Sequence, residues 1–224
     1  MIYLVCLLLL GAAEAPIPYD VHTLSEEGSS RGTAYAAANK IVTLGNKTHV
    51  AWLDSVAVTR VRMYDNETGE LGPAVEVGTG FDNHGGPAMC ADSEGYLHIV
   101  YGPHHHPFQY RRSVRPNDSS EWSPETKFAK KATYPSLVCD AQDTLHVVYR
   151  QSGDVWRMMY QRKPKDGAWS EPVAMLSVPC KGYTQWGNAL CIDGNDRIHL
   201  GFHIYATARD NAGFAFGYFY SDDA

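Results

Sequence analysis

The side chains best suited to chemistry are histidines gathered between residues 82 and 112. His84 precedes a pair of glycines, and three consecutive histidines, His104, His105 and His106, follow a short apolar run. Because imidazole titrates near neutral pH, it can accept or donate a proton under physiological conditions. This concentration of histidine therefore indicates general acid–base chemistry.

Tyrosine and arginine side chains complete the candidate set. Arg111 and Arg112 close the histidine-rich stretch, Arg162 follows an aromatic segment, and Tyr149 ends an apolar one. A guanidinium group matches a carboxylate with two parallel hydrogen bonds, and a tyrosine can pass a proton when a nearby cation lowers its pKa. Glycoside hydrolases commonly need two carboxylates beside the scissile bond, and this set has none. It suits β-elimination on a uronic acid, in which a base removes the proton next to the carboxylate, a cation stabilises the resulting charge, and an acid protonates the leaving oxygen.

A repeated unit of about fifty residues has to position these side chains. An apolar motif headed by histidine recurs at His49-Val-Ala-Trp52, His98-Ile-Val-Tyr101, His146-Val-Val-Tyr149 and His199-Leu-Gly-Phe202. A period near fifty residues with several short strands in each unit is typical of a propeller blade. The sequence therefore predicts an all-β chain, a β-propeller of four-stranded antiparallel blades with about four blades present.

The repeat separates structural histidines from candidate functional ones. The first residue of each motif recurs in phase and should serve packing or hydrogen bonding within its blade. The histidines without an in-phase partner that need an explanation are His84, His104, His105, His106 and His203. In a blade, the loop leading into the first strand and the loop joining the second and third strands open on the same face. We therefore expect one mouth, where ring-shaped folds bind substrates, to be surrounded by His84, the histidine run, Tyr149, Arg150, His203 and Tyr205.

Each candidate also has a structural interpretation. His84 could bond the backbone of its own turn. The histidine run could bind a metal, but neighbours on extended chain point to opposite sides, so at most two would converge. Tyr149 fills the repeat position of packing aromatics such as Trp52 and Tyr101. The arginines could be solvated strand ends.

Composition and chain ends set further bounds. The net charge of −6 excludes a general nucleic-acid-binding protein, so an anionic ligand has to meet a local cationic patch. Residues 1–15 read as a signal peptide and predict secretion of a propeller domain over residues 16–224.

The in-phase cysteines Cys90, Cys139 and Cys191 are interpreted as core filling, with a Cys180–Cys191 disulfide as an alternative. The chain stops within its fourth unit, which favours a C-terminally truncated piece of a larger ring over a small four-bladed ring.

Two segments carry a resemblance to a known family. The stretches DNHGGPAMCADSEGYLHIVYGPHHHPFQYRR, from residue 82, and YPSLVCDAQDTLHVVYR, from residue 134, are similar to BNR-repeat propellers that include ulvan lyases. Those secreted enzymes depolymerise the sulfated uronic-acid polysaccharide of green algae. The resemblance extends from Gly32 to the C-terminus and implies a seven-bladed ring. It also implies a histidine and a tyrosine as the proton-transfer pair, with an arginine that neutralises the uronate.

Carried over to this sequence, the resemblance assigns catalysis to His84 and Tyr149. It assigns substrate binding to His104, His105, Arg162 and Tyr205. Arg162 matches the neutralising arginine, although strand topology puts Arg157 nearer the mouth. No cofactor is expected for the chemistry, a structural zinc or calcium ion is compatible with the family, and the expected partner of this monomer is an anionic polysaccharide, not nucleic acid or membrane. Alternatives are a non-catalytic carbohydrate-binding propeller and a sialidase-like hydrolase, whose Ser-x-Asp-x-Gly-x-x-Trp motif is missing.

Overall fold

Short apolar segments separated by turn residues form antiparallel strands throughout the described part of the chain. The computed structural model describes residues 20–35, 37–181, 184–205 and 214–221. The strands there are β1 (Ile41–Leu44), β2 (Lys47–Asp54), β3 (Val58–Asp65), β4 (Val75–Thr79), β5 (Ala88–Ala91), β6 (Leu97–Tyr101), β7 (His106–Arg115), β8 (Asp118–Trp122), β9 (Thr126–Cys139), β10 (Leu145–Gln151), β11 (Val155–Lys163), β12 (Val173–Lys181), β13 (Gln185–Ile192), β14 (Ile198–Tyr205) and β15 (Phe214–Ser221).

The strands form propeller blades in chain order. Strands β1 to β4 make the first four-stranded blade, and β13 to β15 belong to the fourth. The long strand β9 is shared between two blades. Its first part pairs with β7 as the last strand of the second blade, and its second part pairs with β10 as the first strand of the third. The predicted all-β fold of four-stranded antiparallel blades is confirmed.

The hydrophobic core lies between neighbouring blades. Successive side chains of a strand point to opposite faces, so alternate apolar residues of one blade meet those of the next. Tyr101 is fully buried against the first blade, whereas Phe108 and Tyr149 lie between the second and third blades. This layered packing fixes the angle between blades and therefore the spacing of their loops.

The in-phase cysteines do not all share one environment. Cys90 belongs to the core, as predicted, and Cys139 packs against it while remaining half-buried. Cys191 is an exposed free thiol, and the side chain of Cys180 lies outside the described residues. Core filling therefore accounts for Cys90 and Cys139 only.

The in-phase histidines fix three of the blades through a repeated hydrogen-bonded triad. In the third blade, His146 Nε2 lies 3.0 Å from Asp140 Oδ2, and its Nδ1 lies 2.7 Å from the Tyr160 hydroxyl. Asp140 Oδ1 also accepts the backbone amides of Gln142 and Thr144, so one carboxylate holds the turn before β10. The equivalent triads are Asp92–His98–Tyr110 and Asp193–His199–Tyr218. The structural interpretation of these in-phase histidines is confirmed.

The sequence predicts a signal peptide and no association with a membrane. The predicted signal peptide, residues 1–15, lies outside the described residues. Within the described ranges, no helix has the length and apolarity needed to cross a bilayer.

The buried triad of the third blade should contribute more to stability than the exposed triad of the fourth. We expect Asp140→Ala to lower the free energy of unfolding by about 3 kcal/mol, because it breaks a buried pair and leaves the imidazole and two amides unsatisfied. Asp193→Ala is the matched control, since its carboxylate is 36% exposed against 1% for Asp140 and water can replace it. Denaturant unfolding followed by tryptophan fluorescence measures both losses. Equal losses would contradict a role for burial.

Candidate active site

Two histidine-bearing loops meet at the end of the blades opposite the triads. The β4–β5 loop, residues 80–87, packs on the β6–β7 loop, residues 102–105, and Gly102 donates its amide to the Gly85 carbonyl at 3.2 Å. A Cβ on Gly85 would lie 3.0 Å from the Gly102 backbone, and Gly102 itself has a φ of +91°. Glycine at these two positions therefore allows the close approach that brings the histidines together.

Asp82 joins two of the predicted histidines. Its Oδ1 accepts a hydrogen bond from His84 Nδ1 at 3.0 Å and from the His84 amide at 2.8 Å, and its Oδ2 accepts from His104 Nδ1 at 2.6 Å. The two imidazole rings stack with their centroids 3.9 Å apart. Because both Nδ1 atoms donate to the same carboxylate, the Nε2 atoms are the ones left to exchange a proton.

The surroundings set the charge of this Asp–His–His group. Burial lowers the pKa of His84, against the opposing effect of its hydrogen bond to Asp82. Burial acts to raise the pKa of Asp82, but hydrogen bonds from His84 and His104 outweigh it and hold that pKa below its usual range. At neutral pH the group therefore contains a carboxylate and a neutral His84 whose Nε2 lone pair can accept a proton.

Within the described residues, these three side chains are also the one set whose ligand atoms lie close enough to share a metal ion. An ion bound to imidazole lies near the plane of the ring, along the nitrogen lone pair. The rings of His84 and His104 are within 19° of parallel and 3.9 Å apart, so one ion cannot lie in both planes. Calcium, which prefers oxygen ligands, fits the two nitrogens no better. The arrangement suits a shared carboxylate and does not suit a metal ion.

A β-bulge in β9 aims Tyr134 at the same end of the molecule. The register with β10 shifts between Val148 and Arg150, so that Tyr134 and Pro135 both lie opposite Tyr149. Pro135 has no amide hydrogen to give to the ladder, and bulges commonly re-aim a side chain beside a site. Tyr134 takes a positive φ of 58°, which side chains with a Cβ rarely adopt.

Arg150 lies beside Tyr134 in an aromatic cage. Its guanidinium carbon is 4.5 Å from the ring centre of Tyr134, 4.4 Å from that of Trp156 and 4.3 Å from that of Trp186. Burial raises the pKa of Tyr134, as does the adjacent Tyr35 side chain, whereas the positive charge of Arg150 opposes the rise. A neutral phenol beside a guanidinium can give up a proton and leave a stabilised phenolate.

His84 and Tyr134 face one cleft of about 350 Å³, and their ring centroids are 6.4 Å apart. The other lining residues are Arg31, Ala34, Tyr35 and Trp186. The segment before the first blade therefore forms one wall of the cleft. A larger cleft of about 830 Å³, around Phe128 and Trp169, is lined by none of the predicted site residues.

Tyr149 does not reach this cleft. Its side chain is 2% exposed, packs edge-on against Phe108 with centroids 5.2 Å apart, and donates its hydroxyl to Gln161 at 2.8 Å. Strand alternation turns Tyr149 into the core and Arg150 to the opposite face. The expectation that Tyr149 joins His84 at the mouth is wrong, and Tyr134 is the tyrosine that lies there.

The predicted neutralising arginine is also misplaced. Arg162 pairs with His146, four residues along β10 from Arg150, and is therefore about 13 Å from the mouth along the strand. Arg157 is nearer but exposed. Arg111 bonds the Tyr101 hydroxyl, and Arg112 bonds Asp92. Arg150, and not Arg162, is the arginine that lies beside Tyr134.

The remaining candidates lie around the cluster. His105 stacks on His104 with centroids 4.1 Å apart and meets Trp156 edge-on. His203 stacks on Trp186 from β14 at 6.3 Å. The side chain of Tyr205 lies outside the described residues. The structure thus brings His84, His104 and His105 together and adds the caged arginine.

The sequence contained a signal for Tyr134 that the interpretation missed. Counted back from the in-phase cysteines, Tyr134 and Trp186 each lie five residues before their cysteine, where the second blade has Gly85 beside His84. The position five residues before each of these cysteines therefore lies at the mouth. Arg150 was predicted at the mouth from strand order, and strand alternation explains why it faces away from the core that holds Tyr149.

Comparisons with known proteins agree with this architecture. The model of the family described as "BNR repeat-containing family member" matches residues 33–224. An ulvan lyase of Nonlabens ulvanivorans is 25% identical over 206 residues, which cover 76% of this chain and 44% of that protein. A solved structure of a polysaccharide lyase PL25 ulvan lyase, bound to -[GlcA(1-4)Rha3S]-, superposes with a TM-score of 0.71 at 19% identity over 84% of this chain and 49% of that one. The GH93 α-L-arabinofuranosidase of Fusarium graminearum superposes with a TM-score of 0.60 at 10% identity over 88% of this chain and 66% of that one.

These matches establish fold and family. The chain spans less than half the length of the curated relative, and a lyase and a hydrolase share the fold, so the fold alone does not decide the chemistry. The family model covers most of the sequence, including every blade described above. The protein therefore belongs to the BNR repeat-containing family, as the sequence resemblance predicted.

Proposed function

We propose that this protein is a secreted polysaccharide lyase that cleaves a uronic-acid polymer of the ulvan type by β-elimination. The observation that carries the proposal is the placement, around one cleft, of an imidazole oriented by a carboxylate and a phenol backed by a guanidinium: His84 with Asp82, and Tyr134 with Arg150. The ulvan lyase relative supports the substrate class. The signal-peptide pattern of residues 1–15 supports secretion.

His84 is the proposed base. Asp82 holds its Nδ1, so Nε2 is free to take the proton from the sugar carbon next to the carboxylate. The electron pair of that C–H bond forms the C=C bond of the product while the C–O bond to the next sugar breaks. Asp82 then stabilises the imidazolium, in the role that a carboxylate has beside a catalytic histidine. His104, stacked on the ring and bonded to the same carboxylate, keeps it in this orientation.

Tyr134 is the proposed acid, and it gives its proton to the leaving oxygen. Burial keeps the phenol neutral at physiological pH, and Arg150 stabilises the phenolate that forms. Arg31 on the cleft wall and Arg150 beside Tyr134 supply positive charge that attracts a uronate despite the overall charge of −6. In this proposal, Asp82 stabilises the imidazolium of His84 and Arg150 stabilises the phenolate of Tyr134.

Incubation of the full-length protein with ulvan should produce a chromophore, because β-elimination creates a C=C bond conjugated with the carboxylate. Ultraviolet absorbance measures this product, and parallel assays with other uronans and glycosaminoglycans define the substrate class. Retention on immobilised ulvan without new absorbance or reducing ends would instead support a carbohydrate-binding propeller. New reducing ends without absorbance would support a hydrolase.

Two tyrosine variants test whether the catalytic acid is Tyr134, as proposed from the structure, or Tyr149, as the family resemblance implied. We expect Tyr134→Phe to lower kcat at least about 100-fold, the scale of a lost general acid. Tyr149→Phe should keep wild-type turnover and lower stability by about 1 kcal/mol, because it removes only the buried bond to Gln161. Turnover and thermal unfolding are measured for both variants. The opposite ranking of turnover would return the acid role to Tyr149.

The acid side of the pH profile should report His84. The base has to be neutral, and burial lowers its pKa, so kcat/KM should fall as pH drops through a midpoint below about 6.5. Asp82→Asn removes the negative charge that raises the His84 pKa, so this variant should be slower and its midpoint should move to lower pH. His84→Ala, with turnover reduced at least about 100-fold, serves as the reference. A midpoint that rises in Asp82→Asn would contradict this orientation of the dyad.

A further inference from the structure

We propose that Tyr35, in the segment before the first blade, is a positioning residue for Tyr134, and that Arg31 holds Tyr35 in that role. The kinetic part of this inference rests on the proposed function. The titration described below does not, because it needs no substrate.

Side-chain contacts link these residues in a chain. The Tyr35 and Tyr134 rings touch with centroids 4.3 Å apart, and the Tyr35 side chain acts to raise the pKa of Tyr134. Arg31 Nη1 donates to the Tyr35 hydroxyl at 2.5 Å. The Tyr35 hydroxyl therefore lies between a fixed cation and the proposed acid. Within the described residues, no carboxylate lies within ion-pair distance of Arg31, so Tyr35 is its polar partner.

The backbone is strained at both tyrosines. Tyr35 has a φ of +68° and Tyr134 one of +58°, a region that is costly for residues with a Cβ and that recurs at functional sites. Each conformation is held by its surroundings. Buried Lys40 donates to the Tyr35 carbonyl at 2.9 Å, and Ser136, two residues after Tyr134, donates to the Ala37 carbonyl at 2.6 Å. The hydroxyl of Ser136 thus ties the two strained segments together.

The contacts determine how loss of the Tyr35 hydroxyl should act on Tyr134. The charged and titratable groups facing Tyr134 are Arg150 from β10, His84 from the β4–β5 loop and Tyr35 itself, with Arg31 behind it. His203 lies farther off, behind Trp186. The Tyr35 side chain acts to raise the pKa of Tyr134, so removal of its hydroxyl should make Tyr134 ionise at lower pH. Weakening of the contact between the two rings should also leave the Tyr134 hydroxyl less well directed.

The kinetic test compares Tyr35→Phe and Arg31→Gln with wild type, with Tyr96→Phe as the matched control. Tyr96 also contacts an arginine, but it lies in the β5–β6 turn at the opposite end of the blade. We expect Tyr35→Phe to lower kcat about 10- to 100-fold, the effect of a misplaced catalytic group, with a smaller change in KM, and to move the alkaline limb of the pH profile to lower pH. Arg31→Gln should also lower kcat, because it frees the Tyr35 side chain, and Tyr96→Phe should change neither kcat nor the alkaline limb. Wild-type kcat with an unmoved alkaline limb in both test variants would overturn the proposal.

The second test needs no turnover. The ultraviolet titration of tyrosinate is recorded for wild type and for Tyr134→Phe, and the difference isolates the Tyr134 phenol. The same difference taken in the Tyr35→Phe background should show ionisation at lower pH. If wild type proves inactive on every uronan, the proposed function fails, and this titration still decides the inference: an unmoved Tyr134 transition overturns it.

Discussion

One shared carboxylate constrains the whole mouth of this propeller. Asp82 accepts a hydrogen bond from an imidazole on its own loop and another from an imidazole on the next loop, so the loops cannot separate without breaking one of them. The backbones of Gly85 and Gly102 have to touch for this to happen, which excludes larger residues there. The carboxylate also fixes both tautomers, because each imidazole donates its Nδ1 hydrogen to it. The hydrogen bonds to Asp82 therefore determine that Nε2 of each imidazole is the nitrogen left for proton transfer.

The two ends of each blade use the same residue types for different purposes. At one end, His146 has both ring nitrogens engaged, by Asp140 and Tyr160, and its side chain is fully buried. At the other end, His84 has one nitrogen engaged by Asp82 and keeps 22% of its side chain exposed beside a cleft. Burial lowers the pKa of both imidazoles, so a shifted pKa does not distinguish them. What distinguishes His84 is that, within the described residues, its Nε2 is not hydrogen-bonded and faces the cleft, so His84 can exchange a proton with a substrate and His146 cannot.

The fold and half of the candidate site could be predicted from the sequence. The fifty-residue rhythm and the histidines outside it were enough to predict the blades and to bring His84 and His104 to one end, because both depend on strand order alone. The tyrosine could not be placed in the same way. Tyr134 reaches the cleft through a bulge and a positive φ, which shift the register at a point that strand periodicity treats as regular. Strand order does place Arg150 at the mouth, but its aromatic cage depends on Trp156 and Trp186 from other strands, so its contact with Tyr134 could not be predicted.

The conflict over Tyr149 was already visible in the repeat. Tyr101 occupies the same place one blade earlier, is fully buried, and donates its hydroxyl to Glu125 much as Tyr149 donates to Gln161. A side chain in phase with such a residue is committed to packing between blades, and a catalytic role would have to break that packing. Irregular positions are not committed in this way: Tyr35, Tyr134 and His105 all have positive φ, and they gather around one cluster. Strain of this kind persists only where the surroundings determine it, so the regular, well-packed parts of the blades are what allow irregular residues to collect at the mouth.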